Sequence, residues 1–429
     1  MSTERLNRSP AVLRRAVEER LWGERDFFLI DVGASGGIES HWRLFGERLR
    51  AVGFEPLLAE AERLQAEASG SKVEYESAFV TCRGLDDLFP PELRSNRVAS
   101  KNNDPFQRVS AIRALELLRV DYTQQMFNAG APAEYTDRRV VLDDFLPAYK
   151  HGTVDFLKVD TDGHDFQVIL GADALLRNGG ALGLSVEVQF HGASHEYANT
   201  FANIDRFLRD RGFSLFDVDV YRYSRAALPA PFVYDIPAQT ATGQVLWGEA
   251  VYMRDLGSAD YERMWPYYVV TRERVIKLAC LFDLFGLPDC AAELLQTRRA
   301  IVGPACDPLL DDLAPADGGR PGAYAEFIRA FEANPGMLYP SRRPETPELS
   351  VAKSAPVPLH PVPVEQARPE ETVTESPAST ADQEAELLVL RERVARLKDK
   401  ARLLQDRLRR RNEEIAKLRK TNDAREVRS

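Results

Sequence analysis

The segment FFLIDVGASGGIES sets Asp31, Gly33, Ser35, Gly36 and Gly37 at the end of an apolar run and just before a helical pattern. Glycines at such a turn permit positive φ and let a ligand approach the backbone. Eighteen residues beyond Gly37, VGFEP closes a second apolar run on Glu55, where a carboxylate can accept hydrogen bonds from both hydroxyls of a ribose. Together they imply a nucleoside-containing cofactor. A nicotinamide dinucleotide is disfavoured, because Ser35 stands where G-x-G-x-x-G needs its second glycine and the loop reads D-x-G-x-x-x-G. This spacing seats no pyrophosphate, and Asp31 repels phosphate while attracting an ammonium. S-adenosylmethionine carries an amine, a sulfonium and a ribose, so Asp31, Gly33, Ser35, Gly37 and Glu55 are its candidate ligands. The plainer alternative is a strand-to-helix turn that is merely tight.

A second block, VDFLKVDTDGHDFQVILGADALL, ends a strand in Lys158 and Asp160 and continues through Asp162, Gly163, His164 and Asp165 into a helix. Carboxylates gathered at one strand end repel one another and need partners, such as a cationic substrate group, Lys158 or helix amides. The competing reading is an acidic helix start, in which Asp162 or Asp165 meets the helix dipole. Methyl transfer from a sulfonium is an in-line displacement, so the protein chiefly orients an oxygen toward the methyl carbon, and an alcohol also needs a proton acceptor. Asp160, Asp162 and His164 are candidates for that base, as are Glu187 and His191 in SVEVQFHG. Asp160 and Glu187 could share a divalent cation, but no spacing compels a third ligand, and a metal is not predicted.

These residues need a scaffold that brings strand ends together. Phe27–Val32 and Ala51–Glu55 read as strands, with a helical pattern starting near Ile38 and a helix over Leu57–Ala68; a third strand is expected around Val73–Val80. Val154–Asp160, Gly183–Val188, Phe213–Val220 and Val245–Met253 are further strand candidates. Strands alternating with helices imply a largely parallel sheet covered on both faces, with ligands bound at the carboxyl ends of its strands.

IDVGASGG, GFEP, VLDDFL, VDFLKVDTDGHDFQVILGA and LSVEVQF resemble, in order and spacing, the successive motifs of the FkbM-type methyltransferase family. The resemblance runs from about Phe27 to Arg254. It implies an S-adenosylmethionine-dependent O-methyltransferase on a seven-stranded Rossmann-like sheet with an antiparallel last strand, here Val245–Met253. It also implies hydroxyl acceptors on sugars, glycans or natural products, with Asp31, Gly33 and Gly37 along the methionine portion and Glu55 on the ribose. The chain departs from the family in Asp162 and Asp165, where glutamates flank the glycine, and in His164, where a small residue is usual.

The remaining sequence divides accordingly. Residues 1–26 form an N-terminal helical segment, 27–254 the FkbM-like domain and 255–340 a helical extension with an aromatic cluster. The insertion that includes Ser100–Glu116 reads as a lid or acceptor-recognition segment, or as surface elaboration. Residues 341–382 are rich in Pro, Ser, Thr and Glu and read as a disordered linker. In 383–429, Leu387, Leu390, Val394, Leu397, Ala401, Leu404, Leu408, Ile415 and Leu418 recur at spacings of three and four, with Arg411 interrupting the seam. That is a coiled-coil pattern, and it predicts a homo-oligomer.

This tail carries fifteen Lys+Arg against nine Asp+Glu in a 429-residue chain of net charge −10. It has no aromatic residue to stack on bases, so nucleic acid is not an expected partner, whereas peripheral contact with anionic lipid is compatible. Four cysteines without metal spacing and a charged N-terminus predict a cytoplasmic enzyme. The alternative function is a catalytically silent methyltransferase-like scaffold oligomerised by its tail.

Overall fold

The β1 strand, Phe27–Val32, is buried along its whole length, and its alternating side chains feed two different cores. Phe27 and Leu29 enter one core and Phe28, Ile30 and Val32 the other. The computed structural model describes residues 5–84, 134–148, 153–161, 163–178, 180–190, 195–223, 240–315 and 318–338. Asp162, His191, the 100–116 segment, the linker and the tail pattern at 383–429 lie outside the described residues. The described residues all fall within one compact unit that ends near residue 341.

The remaining strands are β2 (Leu49–Phe54), β3 (Val73–Glu76), β4 (Phe79–Val80), β5 (Arg139–Val140), β6 (Phe156–Val159), β7 (Gly183–Gln189), β8 (Ser214–Tyr223) and β9 (Gln244–Met253). Seven of them make a sheet of order β3-β2-β1-β6-β7-β9-β8. All neighbours up to β7 pair in parallel, whereas β9 runs antiparallel to both β7 and β8. This is the seven-stranded Rossmann-like sheet expected, with its antiparallel strand at Val245–Met253. The single third strand expected over Val73–Val80 is instead two. Ser77 and Ala78 break the extended run, and β4 leaves the main sheet to pair with β5. The helical pattern after the glycine loop is a 3₁₀ segment, Ser40–Arg48, interrupted by Gly46 at φ 52°.

One face of the sheet is covered by α1 (Ala11–Glu18), the 3₁₀ segment and α2 (Arg272–Leu284), in which every residue from Val275 to Leu284 is buried. Thr271 caps α2 by accepting from the Arg274 amide. The other face packs on α3 (Asp165–Leu170) and α4 (Phe201–Arg209). Residues 272–284 thus supply part of the cover of one face of the sheet.

A buried ionic clasp joins these layers. Asp155, at the entrance of β6, accepts from the Phe28 amide at 2.9 Å, from Arg25 at 2.7 Å and from the Lys277 ammonium at 2.9 Å. Lys277 is fully buried on α2 and also reaches the Asp26 carbonyl at 2.9 Å and Glu273 at 2.8 Å.

Candidate functional site

Strand order reverses between β1, which leads to β2 and β3, and β6, which leads to β7. A crevice opens at the carboxyl ends of such a pair. Gly33 leaves β1 at φ 81°, and a Cβ built there would lie 1.8 Å from the Asp160 carbonyl oxygen. Only glycine allows the two strand ends to meet this closely. The Gly33 and Ala34 amides both donate to the Phe54 carbonyl, tying the loop to β2. Gly36 and Gly37 also have positive φ. The Gly36 amide donates to Glu60 Oε1 at 2.9 Å and the Ile38 amide to the Tyr75 hydroxyl at 3.0 Å. A loop whose amide is taken by the chain's own carboxylate is a poor phosphate cradle, which agrees with the displaced glycine spacing.

Glu55 follows β2 directly and is buried, with Oε1 accepting from the Leu57 amide at 2.8 Å. Burial raises its carboxyl above the ordinary range, against the Leu57 hydrogen bond. Ser35 sits at the loop's exposed apex.

Asp31 and Lys158 are register neighbours on β1 and β6 and share a face of the sheet. The ammonium lies 3.2 Å from Asp31 Oδ1 and 3.7 Å from Asp160 Oδ2, and donates to the Gly33 carbonyl at 3.1 Å. Asp31 is 1% exposed, and neither of its oxygens has a fully formed hydrogen bond. Burial therefore dominates the Lys158 charge and pushes the Asp31 carboxyl up to about 6. For Lys158, burial alone would lower the ammonium, but Asp31, Asp160 and Glu39 together raise it well above its ordinary value.

Lys158 forms part of the floor of a cavity open to solvent, whose lining also includes Glu39, His41, Asp160, Glu187, Glu249 and Phe285. Two of the five base candidates, Asp160 and Glu187, are brought together there. Glu187 on β7 stands in register opposite Glu249 on β9, and Glu249 opposite Asp219 on β8, so one row of carboxylates crosses three strands. His164 precedes α3, its carbonyl accepting from the Gln167 and Val168 amides, and it does not line this cavity. Among the described residues no group of three or more His, Cys, Asp or Glu has the arrangement of a metal site.

Asp165 takes the structural role. It is fully buried, accepts from the Thr161 and Gly163 amides, the Thr161 hydroxyl and Asn199, and so holds the loop that follows β6. Burial raises its carboxyl to about 6 despite these donors.

Glu39, His41 and Glu249 went unrecognised in the sequence. Glu249 becomes a partner of Glu187 only through the β7–β9 pairing. His41 lies four residues beyond Gly37, where the chain turns back over the β6 end, and that proximity was the available signal.

Residues 31–215 match the family model described as Methyltransferase FkbM domain. Residues 31–215 therefore make up an FkbM-type methyltransferase domain, and the class it defines is that of the S-adenosylmethionine-dependent methyltransferases. Among solved structures it is similar to precorrin-6y C5,15-methyltransferase from Geobacter metallireducens GS-15, at 12% identity over 56% of this chain and 87% of that one, TM-score 0.26. It is also similar to cofactor-bound Rv0187 from MTB, at 14% identity over 58% and 83%, TM-score 0.26. A SAM-dependent methyltransferase from Aquifex aeolicus matches at 11% identity over 58% and 94%, TM-score 0.24. No curated protein sequence matches the chain.

The site's donor set fits the cofactor of that class. Glu55 presents a carboxylate beside the loop, the loop seats no phosphate, and the cavity beyond it is lined by carboxylates suited to a ligand with two positive centres. When bound, S-adenosylmethionine supplies an electrophilic methyl group on its sulfonium.

Proposed function

We propose that the chain is an O-methyltransferase acting on a hydroxyl of a saccharide, glycan or related natural product. The observation that carries this reading is the cavity at the β6, β7 and β9 ends, where Asp160, Glu187, Glu249 and Glu39 outnumber the ammonium of Lys158. Positive charge moves from sulfur toward the acceptor oxygen during transfer. Carboxylates on the acceptor side stabilise that displacement, whereas an anionic acceptor, such as a carboxylate or phosphate ester, meets repulsion. A neutral hydroxyl fits the field.

In this reading Glu55 holds the ribose hydroxyls and the Gly33–Gly37 loop, with Ser35 at its apex, passes the methionine portion. Glu39 and Asp160 face its ammonium. Asp31 acts from behind, fixing Lys158. Asp160 and Glu187 orient the acceptor, and Asp162 and His191 retain the candidacy that their positions in sequence give them.

The tail pattern at 383–429 supports self-association, and its positive charge a peripheral membrane contact. The unbonded thiols of Cys82, Cys280, Cys290 and Cys306 suit a reducing compartment such as the cytoplasm. No helix among the described residues is long and apolar enough to cross a membrane.

Labelled methyl donor incubated with a panel of mono- and oligosaccharides tests the acceptor, with label in a saccharide ether as the expected product. Label confined to carboxyl esters or phosphorylated compounds would contradict the field argument. Calorimetry with S-adenosylmethionine tests the cofactor site independently. Glu55→Ala should weaken binding by about 10- to 100-fold, as expected for lost charge-assisted hydrogen bonds.

A further inference from the structure

His41 is the one imidazole among the described residues lining the cavity, and it is held there from three sides. Its Nδ1 lies 3.2 Å from Glu39 Oε2. Its ring packs 4.8 Å from the Trp42 ring and edge-on to Phe285 at 6.4 Å. Trp42 and Phe285 are themselves locked against Phe156 of β6, at 4.8 and 5.5 Å. An ionised carboxylate facing Nδ1 requires the ring proton on that nitrogen, because a lone pair there would be repelled. Nε2 is then left as the acceptor. Burial lowers the His41 imidazolium to about 4, against the pull of Glu39 and with the help of Lys158. The ring is accordingly neutral throughout the physiological range.

We propose that His41 is the proton acceptor for the methylated hydroxyl, with Glu39 as the positioning residue that fixes its tautomer and stabilises the imidazolium formed. The inference rests on the methyltransferase reading above and names the base within it. As the acceptor oxygen bonds to the methyl carbon, the carbon–sulfur bond breaks with its electron pair left on sulfur as a thioether, and the hydroxyl proton passes to Nε2. The carboxylates are less suited. Asp160 is half-exposed and ion-paired with Lys158, and Glu187 shares its side of the sheet with Glu249. The titratable groups that line the cavity with the ring are Glu39, Lys158, Asp160, Glu187 and Glu249.

The test uses the full chain labelled with ¹⁵N-histidine, whose His41 signals are assigned by their loss in His41→Gln. The expected spectrum at pH 7 is a neutral ring protonated at Nδ1, shifting toward a mixture of tautomers in Glu39→Gln. An imidazolium, or a ring protonated at Nε2, overturns the proposal. In the saccharide assay, His41→Gln should lower kcat by about 10²-fold or more while KM for S-adenosylmethionine changes little, and Glu39→Gln should lie between the variant and wild type. Wild-type turnover by His41→Gln would also overturn the assignment. Cofactor binding by wild type without methylation of any saccharide in the panel would remove the saccharide reading alone, and the tautomer spectra still decide the dyad.

Discussion

The Asp155 clasp allows the two halves of one ion pair to be told apart by mutation. In Asp155→Ala the Lys277 ammonium, which is fully buried, loses its 2.9 Å partner and retains Glu273 and the Asp26 carbonyl, while Arg25 and the Phe28 amide each lose an acceptor. Removing one member of a buried pair in this way costs about 3–5 kcal/mol. Lys277→Met is different. Asp155 keeps Arg25 and the Phe28 amide, Glu273 keeps Arg25, and the methionine fills much of the space of the lysine stem. A loss of about 0–2 kcal/mol follows. Urea unfolding of the full chain, followed by tryptophan fluorescence, should place the Asp155→Ala midpoint about 1–1.7 M below wild type for a slope near 3 kcal/mol per M. The Lys277→Met midpoint should lie close to wild type. If Lys277→Met were as damaging as Asp155→Ala, the view that the lysine is the dependent member of the network would be refuted.

Three more outcomes follow from the site and the tail. Gly33→Ala forces a Cβ to 1.8 Å from the Asp160 carbonyl at a φ of 81°; calorimetry should show at least about a 10-fold loss of S-adenosylmethionine affinity, with reduced stability, since the strain alone is worth about 1–2 kcal/mol. The buried Asp31 carboxyl, raised to about 6 from its ordinary 3.8, holds its proton more tightly in the folded chain. The stability of wild type relative to Asp31→Asn should therefore fall by up to about 3 kcal/mol as pH rises from about 4 to 6 and level off above, as read from unfolding free energies across that range. Deleting residues 383–429 should lower the oligomeric mass in light scattering and leave cofactor binding intact; an unchanged number of subunits would count against association through that segment.

Much of the architecture was legible in the sequence because the parallel strands are buried on both faces and therefore appear as unbroken apolar runs. Phe27–Val32 coincides with β1 to the residue, and Gly183–Val188 falls one residue short of β7. The family motifs identified the antiparallel strand at Val245–Met253. The split at Ser77 and Ala78 was not legible, since nothing local distinguishes a strand that continues from one that changes sheets. The position of the candidate residues was legible where a single segment carries them, as in the glycine loop, Glu55 and Asp160, which fall at strand ends as the spacing expected. It was hidden where chemistry depends on pairing across the sheet, as for Glu249 beside Glu187, or on a chain reversal, as for His41. Asp165 shows another case: the sequence offered it as an acidic helix start, and its partners, three loop donors and Asn199, are supplied by the fold.

With no atom between Gly33 and the Asp160 carbonyl, the glycine turn and the end of β6 cannot shift independently. A ligand that displaces one must drag the other, and with it Lys158 and the carboxylates beside it. If the proposed site is right, cofactor entry and acceptor alignment are coupled through this contact, so that a change in either neighbouring loop is felt on both sides of the reaction.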